Sequence, residues 1–298
     1  MTIDNSPIAA RGEAPICKSI VNSPNSPRLL LPLRLLDLWG DLWLRAFALI
    51  GGVSWLIHDV VIWTFRAVFQ RRVRFGRTAF ISQMVRIGVR AMGIEMLVCA
   101  CIGFILALQM EPPLADFGQQ DKIANIVGVA VFRELGPLIA AIVLTGFAGA
   151  SIAAEIGTMV VGEEIEALEA HALNPVRFLV MPRVLATVVS LTSLTVIADL
   201  TAVFFAGAMA VGFLGVPYEV YKQNTLNQLV VSDFYTGLIK GAVFGLILSA
   251  IACHNGLKVT GGAAGVGKAT TDTVVQTVVS VIIADLIFTM LFYAIGWT

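Results

Sequence analysis

Residues 88–110 read GVRAMGIEMLVCACIGFILALQM, and within them 96–108 (MLVCACIGFILAL) is an unbroken apolar run. At ~1.5 Å per residue, about 20 residues cross a ~30 Å hydrocarbon layer, so this segment is long enough to span a bilayer as a helix. Further segments of adequate length lie at about 126–150, 178–213, 236–253 and 273–297. The pattern predicts an all-α membrane protein with five transmembrane helices. The segment at 178–213 is too long for one upright crossing and too short for two with a turn, so a tilted helix projecting beyond the bilayer is expected.

Composition agrees with that reading. The chain has 298 residues, of which 57% are hydrophobic and 13% charged. Soluble domains carry roughly 25% charged residues, and half that density leaves too little polar surface to solvate a globule. Lys and Arg (20) balance Asp and Glu (20), and no basic stripe with interleaved aromatics is present, which excludes nucleic-acid binding by phosphate neutralisation. Cys17, Cys99, Cys101 and Cys253 have no zinc-ligand spacing, and His58, His171 and His254 join no Ser/Cys–carboxylate pattern. No metal, cofactor or catalytic group is expected.

Residues 1–34 are rich in Ser, Pro and Asn and lack the apolar core of a signal peptide, so they are expected to be a disordered cytoplasmic tail. Residues 35–70 hold Trp39, Trp43, Trp55 and Trp63 in an apolar run broken by Arg45, Gly51, Gly52, His58, Asp59 and Arg66. Tryptophan favours the headgroup level, where its N–H stays wet, which predicts an N-terminal interfacial helix. A sixth crossing at about 46–65 is the competing reading. The remaining 71–298 form one membrane domain.

Orientation follows the Lys and Arg of the short loops. One placement puts Arg71, Arg72, Arg74, Arg77, Arg177, Arg183, Lys258 and Lys268 inside and Lys122 and Lys222 outside. That places the N-terminus in the cytoplasm and the C-terminus on the far side.

Between the second and third crossings runs AEIGTMVVGEEIEALEAHALNPVRFLVMPR (154–183). At ~100° per residue, Val161, Ile165, Leu168 and Ala172 share one side while Glu163 and Glu166 oppose them, with Glu164 and Glu169 flanking. This predicts a short amphipathic helix within about 155–172. Its acidic face would be repelled by anionic lipid, so it suits docking of a protein, or else it is a solvated loop helix. Asn174-Pro175 and Pro182 are expected to end it and start the next helix.

Arg133 and Glu134 fall inside the second crossing, just before Gly136-Pro137. Charges there cost ~2.5–3.5 kcal/mol each at a helix centre, so they either face a cavity and partners elsewhere or, for Arg133, snorkel to the interface. Asp199 and Asp285 lie in the third and fifth crossings, as interhelical hydrogen-bonding groups or as a proton relay. Gly237, Gly241, Gly245, Ser249 and Cys253 put small residues at every fourth position of the fourth crossing, a close-packing stripe for a helix of this chain or of a second copy. Residues 262–268, GAAGVGK, mimic a Walker A loop. Ala269 stands where Mg²⁺ needs Ser or Thr, so the glycines are expected to form a tight loop with Thr270, Thr271 or Asp272 capping the last crossing.

Taken in order, IGFILALQ (102–109), RELGP (133–137), AAEIGTM (153–159), EEIEAL (163–168), NPVRFLVMPR (174–183) and GVGKATT (265–271) resemble the MlaE/YrbE-type permeases of ABC lipid transporters associated with MCE-domain proteins. One departure is Gly146-Phe147-Ala148-Gly149, where that family usually has Gly-Arg-x-Gly.

The resemblance implies a homodimeric permease of the bacterial inner membrane, with a plastid homologue also compatible, and with a periplasmic C-terminus. Its implied partners are a second copy, a cytoplasmic ATP-binding cassette ATPase, an MCE-domain lipid-binding protein and a phospholipid substrate, with ATP hydrolysis in a separate chain. It implies a substrate cavity with Arg133 and Glu134, walls from Leu106 and Leu108, and Gln109 at the rim. It implies ATPase coupling through Glu155, Val161, Glu163, Glu164, Ile165, Glu166 and Leu168. The alternatives are a proton-coupled secondary transporter using Asp199 and Asp285, and a non-transporting membrane assembly subunit.

Overall fold

The computed structural model describes residues 31–69 and 77–296. Among these residues every regular element is helical. The tail expected at 1–34 falls, over 1–30, outside the described residues. Helix α1 (Leu31–Phe69) is continuous. Its part up to Ile50 belongs to a first compact unit, in which Trp43 and Phe47 are exposed with ring centroids 6.0 Å apart.

The second unit begins at Gly51. Within it, Trp63 of α1 lies 5.4 Å from the Arg66 guanidinium and 5.6 Å from that of Arg177, a setting suited to the headgroup level. Phe47–Arg66 is itself long and apolar enough to cross a membrane, as are Thr78–Asp116, Gln120–Val161, Val176–Gly212, Val231–Leu257 and Gly262–Ile295.

These rods outrun the apolar segments of the sequence because hydropathy marks the lipid-facing stretch, whereas helical hydrogen bonding continues into polar ends. The second is α2 (Arg77–Met84) and α3 (Arg90–Asp116) joined by a wide turn at Val85–Val89. The third is α4 (Ile123–Ala130), α5 (Gly136–Leu144) and α6 (Ala150–Val161), joined by wide turns at Val131–Leu135 and Thr145–Gly149. A short helix α7 (Glu164–Ala170) follows, then a wide turn at Val176–Val180 leading into α8 (Met181–Gly212). Helices α9 (Tyr218–Gln228), α10 (Val231–Leu257) and α11 (Gly262–Ile295) complete the chain.

Two of the wide turns end two residues before a proline, Pro137 and Pro182. Proline lacks the N–H that would close the preceding turn. The chain responds by reaching one residue further: the N–H groups of Gly136 and Met181 bond the carbonyls of Val131 and Val176, five residues back.

Helices α8 and α10 form the centre, packing on each other, with α3 against α8 and with α6 and α11 against α10. The burial of α10 over 67% of its apolar window, against 11% for α11, marks the first as core and the second as periphery. The small-residue stripe explains how α10 fits. A side chain at Gly237 would strike the Phe132 carbonyl, one at Gly241 would meet Thr195, and one at Gly245 would come within 2.9 Å of the Val188 backbone. The stripe therefore faces α8 and the 131–135 turn of the same chain. Ser249 is buried and donates to the Gly245 carbonyl at 2.7 Å, so no hydroxyl is left unsatisfied there. On the loop side, Tyr221 of α9 donates to the Val203 carbonyl at 3.1 Å, and burial pushes its phenol up to about 12.

Two expectations need correction. The Gly262–Lys268 segment is not a loop: Gly261 and Gly262 take positive φ (+87° and +70°) and make the turn, and α11 starts at Gly262. The 155–172 stretch is not one helix. Gly162 ends α6 and Glu163 is left-handed (φ +58°), so Val161 and Ala172 share no face with α7.

Replacing Gly245 by Leu should lower stability by roughly 1–3 kcal/mol or more through overpacking against α8. Gly146→Ala, at a glycine with open space around it, should leave the thermal midpoint near wild type. Thermal unfolding of both variants in lipid nanodiscs checks the pair, and an undisturbed Gly245→Leu protein would refute the packing argument.

Candidate functional site

The wide turn at Val131–Leu135 shifts the register of the rod, and Arg133 and Glu134 fall within it. Neither is left to snorkel. Arg133 Nε donates to Asp233 Oδ1 at 2.5 Å, and Asp233 is 1% exposed. Asp233 Oδ2 also accepts the Val230 N–H at 3.1 Å, capping the start of α10. Glu134 accepts from Lys240 Nζ at 2.6 Å, and the same ammonium lies 2.8 Å from Asp285 Oδ1 of α11. Thr289 completes the set, donating to Glu134 Oε1 at 2.9 Å and lying 3.1 Å from Lys240 Nζ. The turn, α10 and α11 are thus joined by two cations and three carboxylates.

In an apolar medium a buried ammonium is tolerable only when its charge and donors are met, and Lys240, 1% exposed, donates to Glu134 and Thr289 and pairs with the Asp285 carboxylate. Glu134, at 37% side-chain exposure, and Arg133, at 26%, turn the open side of the network outward. A charged cluster on an otherwise apolar wall can hold the polar head of an amphipathic molecule. Leu106 packs into the core on α3, Leu108 and Gln109 are exposed there, and none of them joins the network.

Lys240 and Asp233 went unremarked in the sequence, although a lysine and an aspartate inside or beside an apolar segment are themselves a signal. Asp199 sits apart from Asp285. It is 3% exposed, packed against the Gly136 backbone, and its Oδ1 has no hydrogen-bond partner. Glu95 is fully buried and accepts the Cys99 thiol at 3.4 Å, with Oε2 unpartnered.

At the other end of the rod, Glu155 Oε1 forms ion pairs with Arg86 Nη1 at 2.9 Å and Arg183 Nη2 at 3.2 Å, tying α6 to the 85–89 turn and to α8. Of the expected coupling residues, Glu155 is therefore engaged inside the bundle. Beyond it, Glu163, Glu164 and Glu166 are exposed, while Ile165 and Leu168 are half-buried on α7 and Val161 is exposed at the end of α6. Left-handed residues bracket α7, Glu163 before it and Ala172 (φ +57°) after it. After α7 the Ala172 and Leu173 N–H groups bond the Glu169 and Leu168 carbonyls at 2.9 and 3.0 Å, a closed helix end. Asn174 Oδ1 then accepts from Val176 N–H at 2.9 Å and begins the next helix. The acidic segment is a firmly specified turn. Among the described residues no cluster of three or more His, Cys, Asp or Glu could hold a metal.

The Permease MlaE family profile matches residues 80–291. A probable ABC transporter permease protein of Rickettsia prowazekii is 36% identical over 217 residues, covering 72% of this chain and 83% of its own. A probable ABC transporter permease protein of Synechocystis is 29% identical over 258 residues, 87% of this chain and 93% of its own. The chloroplastic protein trigalactosyldiacylglycerol 1 of Arabidopsis thaliana is 31% identical over 213 residues, 72% of this chain and 61% of its own.

Removing the ammonium by Lys240→Met strands Glu134 and Asp285 and should cost about 3–5 kcal/mol, less whatever water screens Glu134. Adding Asp285→Asn to that variant should recover part of the loss. Chemical or thermal unfolding of the single and double variants reads the coupling, and strictly additive effects would refute a shared network.

Proposed function

The chain belongs to the MlaE permease family and is a membrane-embedded transport subunit, and on that footing we propose that it moves phospholipid-like lipids between membranes, driven by a separate ATP-binding cassette ATPase. The observation that carries this reading is the Arg133–Asp233 and Glu134–Lys240–Asp285 network. It places charge, half open to the outside, on a wall of apolar helices, which suits a molecule with a polar head and acyl chains. The name of the Arabidopsis relative, a galactosylated diacylglycerol, supports a glycerolipid as the cargo class.

Two copies of the chain form the conduit, with an ATPase beneath each on the cytoplasmic side and an MCE-domain protein on the far side receiving or delivering lipid. The arginine-rich loops support an N-terminus in the cytoplasm and a C-terminus in the periplasm of an inner membrane. Glu163, Glu164 and Glu166 on the exposed turn take the force of ATPase closure, and Ile165 and Leu168 seat that turn on the bundle. Glu155 passes the movement on through its arginine pair.

A second reading, proton-coupled transport, draws on Asp199, a buried acid whose Oδ1 has no partner. Asp285, its supposed relay partner, is instead engaged by Lys240.

Charge reversal at Glu163 and Glu166 together should abolish co-purification of the ATPase and stop lipid transfer. Glu134→Gln should leave assembly intact and cut transfer between proteoliposomes at least about tenfold, the scale of one charge-assisted bond. Full ATPase binding in the reversed variant would sink the coupling reading. ATP-independent transfer that Asp199→Asn abolishes would establish the proton-driven alternative.

A further inference from the structure

About 30 Å along the Gln120–Val161 rod from Glu134, at ~1.5 Å for each of the residues separating it from Glu155, the helices leave a cavity of about 330 Å³. That separation matches a hydrocarbon layer, so cavity and ion network stand at opposite membrane faces. Gln83, Arg86 and Arg90 line it from the α2–α3 rod, and Phe147, Ser151 and Glu155 from the 145–149 turn and α6.

Its charge is unbalanced. Arg86 and Arg183 both pair electrostatically with the one Glu155 oxygen, and Arg90, exposed on the cavity wall, has no ion pair among the described residues. Two guanidinium groups of the lining, Arg86 and Arg90, thus stand against a single carboxylate, with which the buried Arg183 also pairs. The apolar part of the lining is Ile87 beside Arg86 on one rod and Phe147, Ala148 and Ile152 on the other, with Phe147 37% exposed. The volume lies within the range of small-ligand pockets.

We propose that this cavity binds the phosphate-bearing headgroup of an anionic phospholipid of the leaflet on the α7 side, as a second lipid site distinct from the ion network. The proposal rests on the orientation and the lipid-permease reading given above. Arg90 supplies the free charge, Arg86 adds a donor beside it, and Ser151 and Gln83 offer uncharged hydrogen bonds. Phe147 covers the glycerol and upper acyl region. A basic pocket between membrane helices at an inner interface is the arrangement that attracts such headgroups. The apolar wall separates this from capture of free phosphate, which needs donors on every side.

The test uses the full-length chain, without ATPase, in nanodiscs of phosphatidylcholine doped with spin-labelled phosphatidylglycerol, with retained lipid also counted by native mass spectrometry. Wild type and a Lys222→Gln control should retain phosphatidylglycerol in preference to phosphatidylcholine. Arg90→Gln and Phe147→Glu should each weaken that retention about tenfold at an unchanged thermal midpoint, with Arg90→Lys losing less. Equal retention of the two lipids, or no effect of Arg90→Gln and Phe147→Glu, would overturn the proposal. Displacement of the lipid by inorganic phosphate alone at matching concentration would overturn the lipid as occupant in favour of a free-anion site. Because binding is read without ATP or transfer, a failure of the transport reading leaves this measurement standing.

Discussion

An ammonium group that is 1% exposed within a membrane helix bundle cannot exist unpaired, and Lys240 is that group. Meeting its charge requires Glu134 and Asp285 to arrive from two other helices, so three elements are fixed relative to one another by one residue. The close approach this demands is supplied along the same helix. Gly237 lies one turn before Lys240 and Gly241 directly after it, and both face neighbours that a side chain would displace. Charge pairing and backbone proximity are therefore two halves of one constraint on α10, the most buried of the long helices.

Much of this was legible in the sequence, for reasons that can be named. Apolar segments long enough to cross a bilayer declare themselves without any tertiary information. Arg133 and Glu134 declared a need for partners because charge in hydrocarbon is costly. What stayed hidden depended on geometry that spacing alone does not carry. The partners of Arg133 and Glu134 lie some hundred residues away, in Asp233 and Lys240. The 155–172 stretch reads as one amphipathic helix because a wheel assumes unbroken rotation, and the left-handed turn at Glu163 resets that rotation. Gly262–Lys268 reads as a loop because glycine is a poor helix former, yet tertiary packing extends α11 through it. Arg183, which counts as a loop cation in a charge tally, is 5% exposed and bonded to Glu155. The 35–70 segment reads as interfacial from its tryptophans and as a crossing from its length, because both are properties of the same helix.

The proline-linked turns give the third rod and its neighbour a shared device. Pro137 and Pro182 each force a hydrogen bond one residue longer than usual, and each does so next to ion-paired side chains, Arg133 and Glu134 in one case and Arg183 in the other. A wide turn re-aims the side chains that follow it without breaking the rod. Arg133 and Glu134 at one end and Arg183 at the other are placed by this means.

A rod carrying charged groups at both ends couples them only if it moves as a body or bends at a defined joint. The third rod has such a joint at Thr145–Gly149, midway between Glu134 and Glu155, where Gly146 has open space and Thr145 bonds back to the Ala141 carbonyl at 2.6 Å. Under the proposed coupling, force entering at α7 would reach α6 through the two-residue break Gly162-Glu163, and α6 is held to α8 and the 85–89 turn by Glu155. A displacement of α6 must then either drag those arginines or be absorbed at the joint. Because a cavity with excess positive charge opens beside that joint, an anion seated there would brace α6 against the α2–α3 rod. The state of the pocket and the freedom of the Arg133–Glu134 network would in that way be set by the same few residues.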